Sequence, residues 1–385
     1  MASVRPLEER DIPGVTRLFG RVNPQARWAS QAECESYFNQ IYFGNPWVDP
    51  LLPSWVADEN GCIVGFVGVM PRPMRHKGRP IRAAVVSQLM VDRQKRHAFA
   101  AAKLLRKALA GVQDLTISEG ANESYRGMWE AAGGLTLALY NLQWRRLLRP
   151  VRCALQLASG RPARTAALLA APLAALADAY AAHRTSLRRT PRLVEEPLDT
   201  AALLAALQAC ASGVALAPHY DFASLDWLLA QAHAKRRHGE LQAQLLRQFD
   251  GQIAGWFLYY LNGSTSSVLQ LGAREGSESA VLDQLFHHAW LRDATAIEGR
   301  MEPRLARTLG ERHCFFNSSS VYTLVHARDP AALASLAHGD ALFSRLEGEW
   351  SMRFADQPRS AEAAGSAAAE LTTRLRFSSM RPNAA

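Results

Sequence analysis

Val91 to Leu105, VDRQKRHAFAAAKLL, sets Arg93, Lys95, Arg96 and His97 in a turn between the end of a strand and an Ala-rich amphipathic helix. Backbone N–H groups in the first turn of a helix have no intrahelical partner, and the helix dipole adds partial positive charge there. An anion is stabilised at such a place, and the basic side chains add further donors. The combination suits a pyrophosphate.

The spacing resembles the acyl-CoA-binding signature of the GNAT acyltransferase superfamily, Val-x-Pro-x-x-Arg-Gly-x-Gly-x-Gly/Ala followed two residues on by Leu-Leu. In register from Val91, the signature arginine falls on Arg96, the small residue on Ala101 and the leucine pair on Leu104 and Leu105. His97 and Phe99 depart from the pattern. Phe99 stands where the family has a glycine, whose missing side chain lets the backbone approach the phosphate closely. A second stretch, ANESYRGMWEAAGG, resembles the family's last helix: Asn122 opens it, Trp129 takes the position of a tyrosine near the departing thiolate, and Gly133 and Gly134 take that of a Gly-Phe pair.

The resemblance implies that acyl-CoA is the cosubstrate, with no metal. Leu89, Met90 and Val91 would pair with the pantetheine arm, which extends like an added strand. Arg96, His97, Ala98, Phe99, Ala100 and Ala101 would cradle the pyrophosphate, with Asn122 and Trp129 completing the site. The activity implied is direct transfer of an acetyl or other acyl group from acyl-CoA to an amine of a small molecule or of a saccharide or peptide intermediate.

Amide formation from a thioester needs a base for the amine and donors for the developing oxyanion. The strand Ala83 to Val91 offers Ser87 and Gln88 but no carboxylate. The catalytic candidates are therefore Ser87, Glu119 at the end of the next strand, and Tyr125. Tyr125 lies one helical turn before Trp129 and supplies the hydroxyl that Trp129 lacks. Glu123 and His76 are further candidate bases. On the acceptor side the aromatic loop around Tyr42 and Trp47 shapes the entrance, and Arg300 with Glu302, in GRMEP, faces the interface between two domains. SRLEGEW, Ser344 to Trp350, reads as a docking segment for the C-terminal end.

The elements that must position these residues follow from pattern. At 385 residues with 48% hydrophobic content, the chain can bury more than one core. Val4 to Phe19 reads as a strand and a helix capped near Asp11 and Pro13. Trp55 to Val91 reads as three antiparallel strands with turns at Asn60-Gly61 and Lys77-Gly78. Leu115 to Glu119 is a further strand, and Leu135 to Arg149 would close that sheet. Residues 150–197 are Ala-rich and helical, interrupted by Pro172. From residue 198 the order repeats: three strands with turns at Asp250-Gly251 and Asn262-Gly263, a helix from Ser277 to Leu291, then a strand from Thr295 to Gly299. Ala273-Arg274-Glu275-Gly276 replaces the basic turn.

The expected fold class is α/β (α+β): two GNAT-like mixed sheets flanked by helices. Residues 1–149 would form the acyl-CoA-binding domain, 150–197 a helical linker, 198–356 a second domain without the phosphate signature, and 357–385 a disordered tail. The start of the chain lacks the apolar run of a signal peptide and no stretch of about 20 apolar residues spans a bilayer, so a cytoplasmic protein is expected. The five scattered cysteines show no metal-ligand spacing. A net charge of +9 suits anionic partners without selecting one. Weak contact with a membrane surface is one option; nucleic acid is not favoured. Two other readings stay open: a catalytically degenerate CoA-binding or scaffold protein, and a Fem-type transferase that takes its acyl group from aminoacyl-tRNA.

Overall fold

A computed structural model describes residues 2–24, 30–92, 98–158, 163–184, 187, 193–210, 213–319 and 321–349. The basic turn at 93–97, with Arg96 and His97, and the tail at 357–385 lie outside the described residues.

β1 (Ser3–Pro6) leads into α1 (Ile12–Val22), which buries Ile12, Val15, Leu18 and Phe19 on one face. The aromatic stretch expected to be a loop is instead a helix, α2 (Gln31–Tyr42). Ser30 caps it by accepting a hydrogen bond from Glu33 N, and Cys34, Phe38, Ile41 and Tyr42 recur at helical spacing along its buried face. β2 (Trp55–Glu59), β3 (Cys62–His76) and β4 (Arg79–Val91) form the expected antiparallel meander. Its two turns, Asn60-Gly61 and Lys77-Gly78, have positive φ at both central residues, the geometry that matches strand twist.

α3 (Ala98–Leu109), β5 (Leu115–Ala121), α4 (Glu123–Ala131), the two-residue β6 (Leu135–Thr136) and β7 (Leu142–Leu147) follow. α5 (Pro150–Ala158) and α6 (Ala163–Arg184) make the helical linker, and α6 continues through Pro172. The buried Asp178 of α6 accepts hydrogen bonds from the N–H groups of Val151 and Arg152 and so caps α5. Residues 194–197, read as the end of the linker, form an edge strand, β8 (Val194–Pro197). The second half then runs α7 (Thr200–Cys210), β9 (Leu216–Pro218), α8 (Phe222–Ala234), β10 (Glu240–Arg247), β11 (Ile253–Leu261), β12 (Thr265–Ala273), α9 (Glu278–Leu291), β13 (Ala296–Arg300), α10 (Ala306–Glu311), β14 (Phe315–Ser318), β15 (Tyr322–Ala327) and α11 (Pro330–Ala337). No helix among the described residues is long and apolar enough to cross a membrane.

The strands form two mixed sheets of matching order: β1-β2-β3-β4-β5-β15-β6, with β9 added on β3, and β8-β10-β11-β12-β13-β7-β14. The first sheet takes β9 and β15 from the second half of the chain, and the second sheet takes β7 from the first. β7 was expected to close the first sheet, yet it lies between β13 and β14 in the second. β15 makes the reverse crossing and lies between β5 and β6. Neither sheet is complete without the other half.

Alternation along the strands decides what each face buries. Phe66, Met70, Val85 and Met90 of the first sheet share one core with α1, α2, α7 and α8 and with Trp256, Leu258 and Tyr260 of the second. On the opposite faces, α3 packs Leu104, Leu105 and Ala108 on Val67, Val69 and Val86, and α9 packs Leu282, Leu285 and Phe286 on Phe257 and Tyr259. The common core fixes the relation between the sheets.

Candidate active site

β4 and β5 pair in parallel over only three residue pairs, ending at Val85 with Ile117. Beyond them β4 runs on to Val91 beside β3, and β5 to Ala121 beside β15, without pairing to each other. A bulge forces the divergence: Phe66 opposes Met90 and Gly68 opposes Ser87, which leaves one extra residue on β4, and Gln88 carries it at φ +53°. The strand edge from Ser87 to Val91 thus faces a cleft, and Leu89, Met90 and Val91 line the edge where an extended ligand can add as a strand. The second sheet repeats this geometry. β12 and β13 pair over three residues, and β12 is bulged between Val268 and Gln270. There Arg304 fills the gap, donating to Leu271 O at 3.0 Å.

Tyr42 reaches the β4 wall from α2, and its hydroxyl lies 3.1 Å from Ser87 Oγ. Gly68 makes this possible, because a Cβ there would overlap the Tyr42 ring and hydroxyl. Burial pushes the Tyr42 hydroxyl well above the usual tyrosine range, and the nearby Glu349 charge pushes it the same way. On the β5 side Asn122 caps α4 by accepting from Tyr125 N at 2.9 Å. The Tyr125 hydroxyl is buried near Ser118, so it too titrates well above the ordinary range and stays protonated. Tyr42 thus meets Ser87 on the β4 side, and the Glu349 charge acts on the hydroxyls of both Tyr42 and Tyr125.

Glu119 is placed differently. Its carboxylate forms an ion pair with Arg300 from β13, with side chains 10% and 8% exposed. Arg300 also donates to Phe343 O at 2.7 Å and lies over the Phe343 ring. Burial lowers the Arg300 guanidinium to about 10. Glu302 pairs with Arg304 instead of joining Arg300 in an open site, and burial raises its carboxyl. Trp47 is buried under the Arg72 guanidinium, 4.1 Å from ring centre to Cζ, and meets Tyr220 and Trp227 of the second half.

Trp129 is fully buried and its indole N–H donates to Val325 O at 3.0 Å, so it holds α4 to β15. Phe99 is 83% exposed, on the first turn of α3, while Ala100 is buried and Ala101 half-buried. The side chain of Ala98 lies outside the described residues. His76 is buried against Ser335 at 3.1 Å, and Glu123 pairs with Arg126 on the surface of α4, so neither reaches the cleft.

Sequence reasoning read the segment after α11 as docking only. Ala341 bridges to Leu216, and the segment then enters between the sheets. Glu347 is buried and its carboxylate accepts from Tyr220 Oη at 3.2 Å, Gln270 Nε2 at 2.7 Å, Ser344 N at 2.7 Å and Ser344 Oγ. Gly348 packs directly on the Glu119 carboxylate. Glu349 then reaches the β5 edge, where its Oε2 accepts from Glu119 N at 3.3 Å. Glu349 therefore lies against β5 with its charge acting on the Tyr42 and Tyr125 hydroxyls.

The same architecture occurs in solved structures. The chain is similar to a probable N-acyltransferase from Enterococcus faecalis at TM-score 0.55 and 9% identity, over 88% of this chain and 74% of that one. It is similar to a GCN5-related N-acetyltransferase from Anabaena variabilis at TM-score 0.55 and 10% identity, over 86% and 74%. The fold is that of the GCN5-related N-acetyltransferases. A further member from Kribbella flavida aligns at TM-score 0.54 and 14% identity, over 87% of this chain and 74% of its own. No protein-family model matches the sequence, and no curated protein matches it.

Proposed function

We propose that this chain is an acyl-CoA-dependent N-acyltransferase working in the cleft between β4 and β5. The observation that carries this reading is the loss of pairing beyond Val85, with the bulge at Gln88, in a sheet of this fold. In this reading the pantetheine arm adds to the β4 edge at Leu89, Met90 and Val91, and the turn with Arg96 and His97 takes the pyrophosphate at the start of α3. The thioester carbon lies near Ser87 and Tyr125, and the amine enters on the side of Tyr42 and Trp47. Tyr125, held protonated by burial, donates a hydrogen bond to the departing sulfur. Arg300 and Glu302 act in the frame of the site, where the Arg300–Glu119 pair joins the two sheets.

A calorimetric titration with acetyl-CoA and longer acyl-CoAs tests the binding. Binding that Arg96→Ala weakens by about tenfold or more, the loss of at least one charge-assisted contact, supports the reading. Absence of binding to every thioester refutes it. A second reading, a CoA-binding protein without catalysis, is favoured by one observation: Trp129 places a bonded indole where this fold family has a tyrosine hydroxyl. Thiol release in the presence of amines separates the two.

A further inference from the structure

Glu349 reaches β5 from the segment after α11. It accepts a hydrogen bond from Glu119 N, on the stretch of β5 that has lost its β4 partner. The bond sets it on the wall opposite Ser87 and Tyr42. The two glutamates that the sequence offered as bases form ion pairs, Glu119 with Arg300 and Glu123 with Arg126.

We propose that Glu349, carried into the cleft by the segment after α11, is the general base that takes the proton from the acceptor amine. The inference rests on the acyl-transfer reading given above. Its geometry is preorganised, because the segment leading into it is held at several points over a short span. Upstream, Leu342 N donates to Leu216 O at 2.9 Å and Arg300 holds Phe343 O. Immediately before the base, the Glu347 carboxylate gathers its four hydrogen bonds and Leu346 is fully buried. Among the described residues, the titratable groups that face Glu349 include Tyr42 from α2, Tyr125 from α4 and Glu119 from β5, with Arg300 of β13 behind Glu119. The Glu349 charge raises both tyrosine hydroxyls, as a carboxylate close to the two of them must.

The step balances. The acceptor ammonium gives one proton to the Glu349 carboxylate, and the freed nitrogen pair forms the C–N bond at the thioester carbonyl. The C–S bond then breaks with its electron pair going to sulfur. A second proton passes from nitrogen to the thiolate, giving the amide and the free thiol, and Glu349 returns its proton to solvent.

The test uses the full chain with acetyl-CoA and a panel of primary amines comprising polyamines, aminoglycosides and amino acids. For Glu349→Gln we expect acetyl-CoA affinity within about twofold of the parent and thiol release lower by about 10²- to 10⁴-fold. Added formate should restore part of the rate to Glu349→Ala, a rescue that a merely structural role would not show. Glu349→Gln turning over within about threefold of the parent overturns the assignment. So does a loss of turnover that only follows lost acetyl-CoA binding. If the parent binds acetyl-CoA but no amine releases thiol, acyl transfer itself fails, and with it any role for a base.

Discussion

Replacing Arg300 by Met removes the charge that joins the two sheets. The Glu119 carboxylate, 10% exposed, then remains buried without its partner, and Phe343 O loses its donor. Breaking one side of a buried ion pair costs about 3–5 kcal/mol, because the surviving charge is left desolvated. At roughly 2.1 cal/mol/K per residue, the whole chain unfolds with an entropy of about 0.8 kcal/mol/K, so about 4 kcal/mol lowers Tm by about 5 °C. The double variant Arg300→Met with Glu119→Gln removes both charges. Its loss should fall short of the sum of the single losses by about 2–3 kcal/mol, since the amide needs no counter-charge. Scanning calorimetry on the parent, both single variants and the double closes the cycle. A cost below about 1 kcal/mol for Arg300→Met, or additive single losses, would show that the pair is solvated and does not tie the sheets.

Burial lowers His288 from 6.5 to about 3, so the unfolded chain takes up a proton below pH 6.5 while the folded protein does not. Stability should be level above that pH and fall by on the order of 2–3 kcal/mol from pH 6.5 to about 4.5. Urea midpoints measured across this range should lose that slope in His288→Gln, and an unaltered slope would place the titration elsewhere. Gly68→Ala forces the Tyr42 ring off Ser87 and should cost about 1–3 kcal/mol by overpacking. A thermal melt within experimental error of the parent would mean that the ring has room to move.

Much of the first sheet is legible locally. Asn60-Gly61 and Lys77-Gly78 announce their turns because only a few residue types accept positive φ, and the strands on either side pair with near neighbours in the chain. Asn122 is recognisable as a cap for the same reason: its bond to Tyr125 N spans three residues. The repeat of three strands, helix and strand is equally legible, but β8 and the helices before the three strands are not. α2 is less legible: its aromatic residues carry no local helix signal, and its start is marked by the Ser30 to Glu33 cap.

What the sequence by itself determined, then, was the meander of the first sheet and the run of three strands, helix and strand in the second half, since turns, caps and periodicity depend on neighbours a few residues apart. The tertiary structure alone decided the exchange of β7 and β15, the pairing of Glu119 with Arg300 and the entry of Glu349 beside Glu119 N. Glu119 and Glu349 stand 230 residues apart. No local preference couples such positions; they meet because the two sheets bury one common apolar core, and the polar groups at its edge must then find partners across the junction.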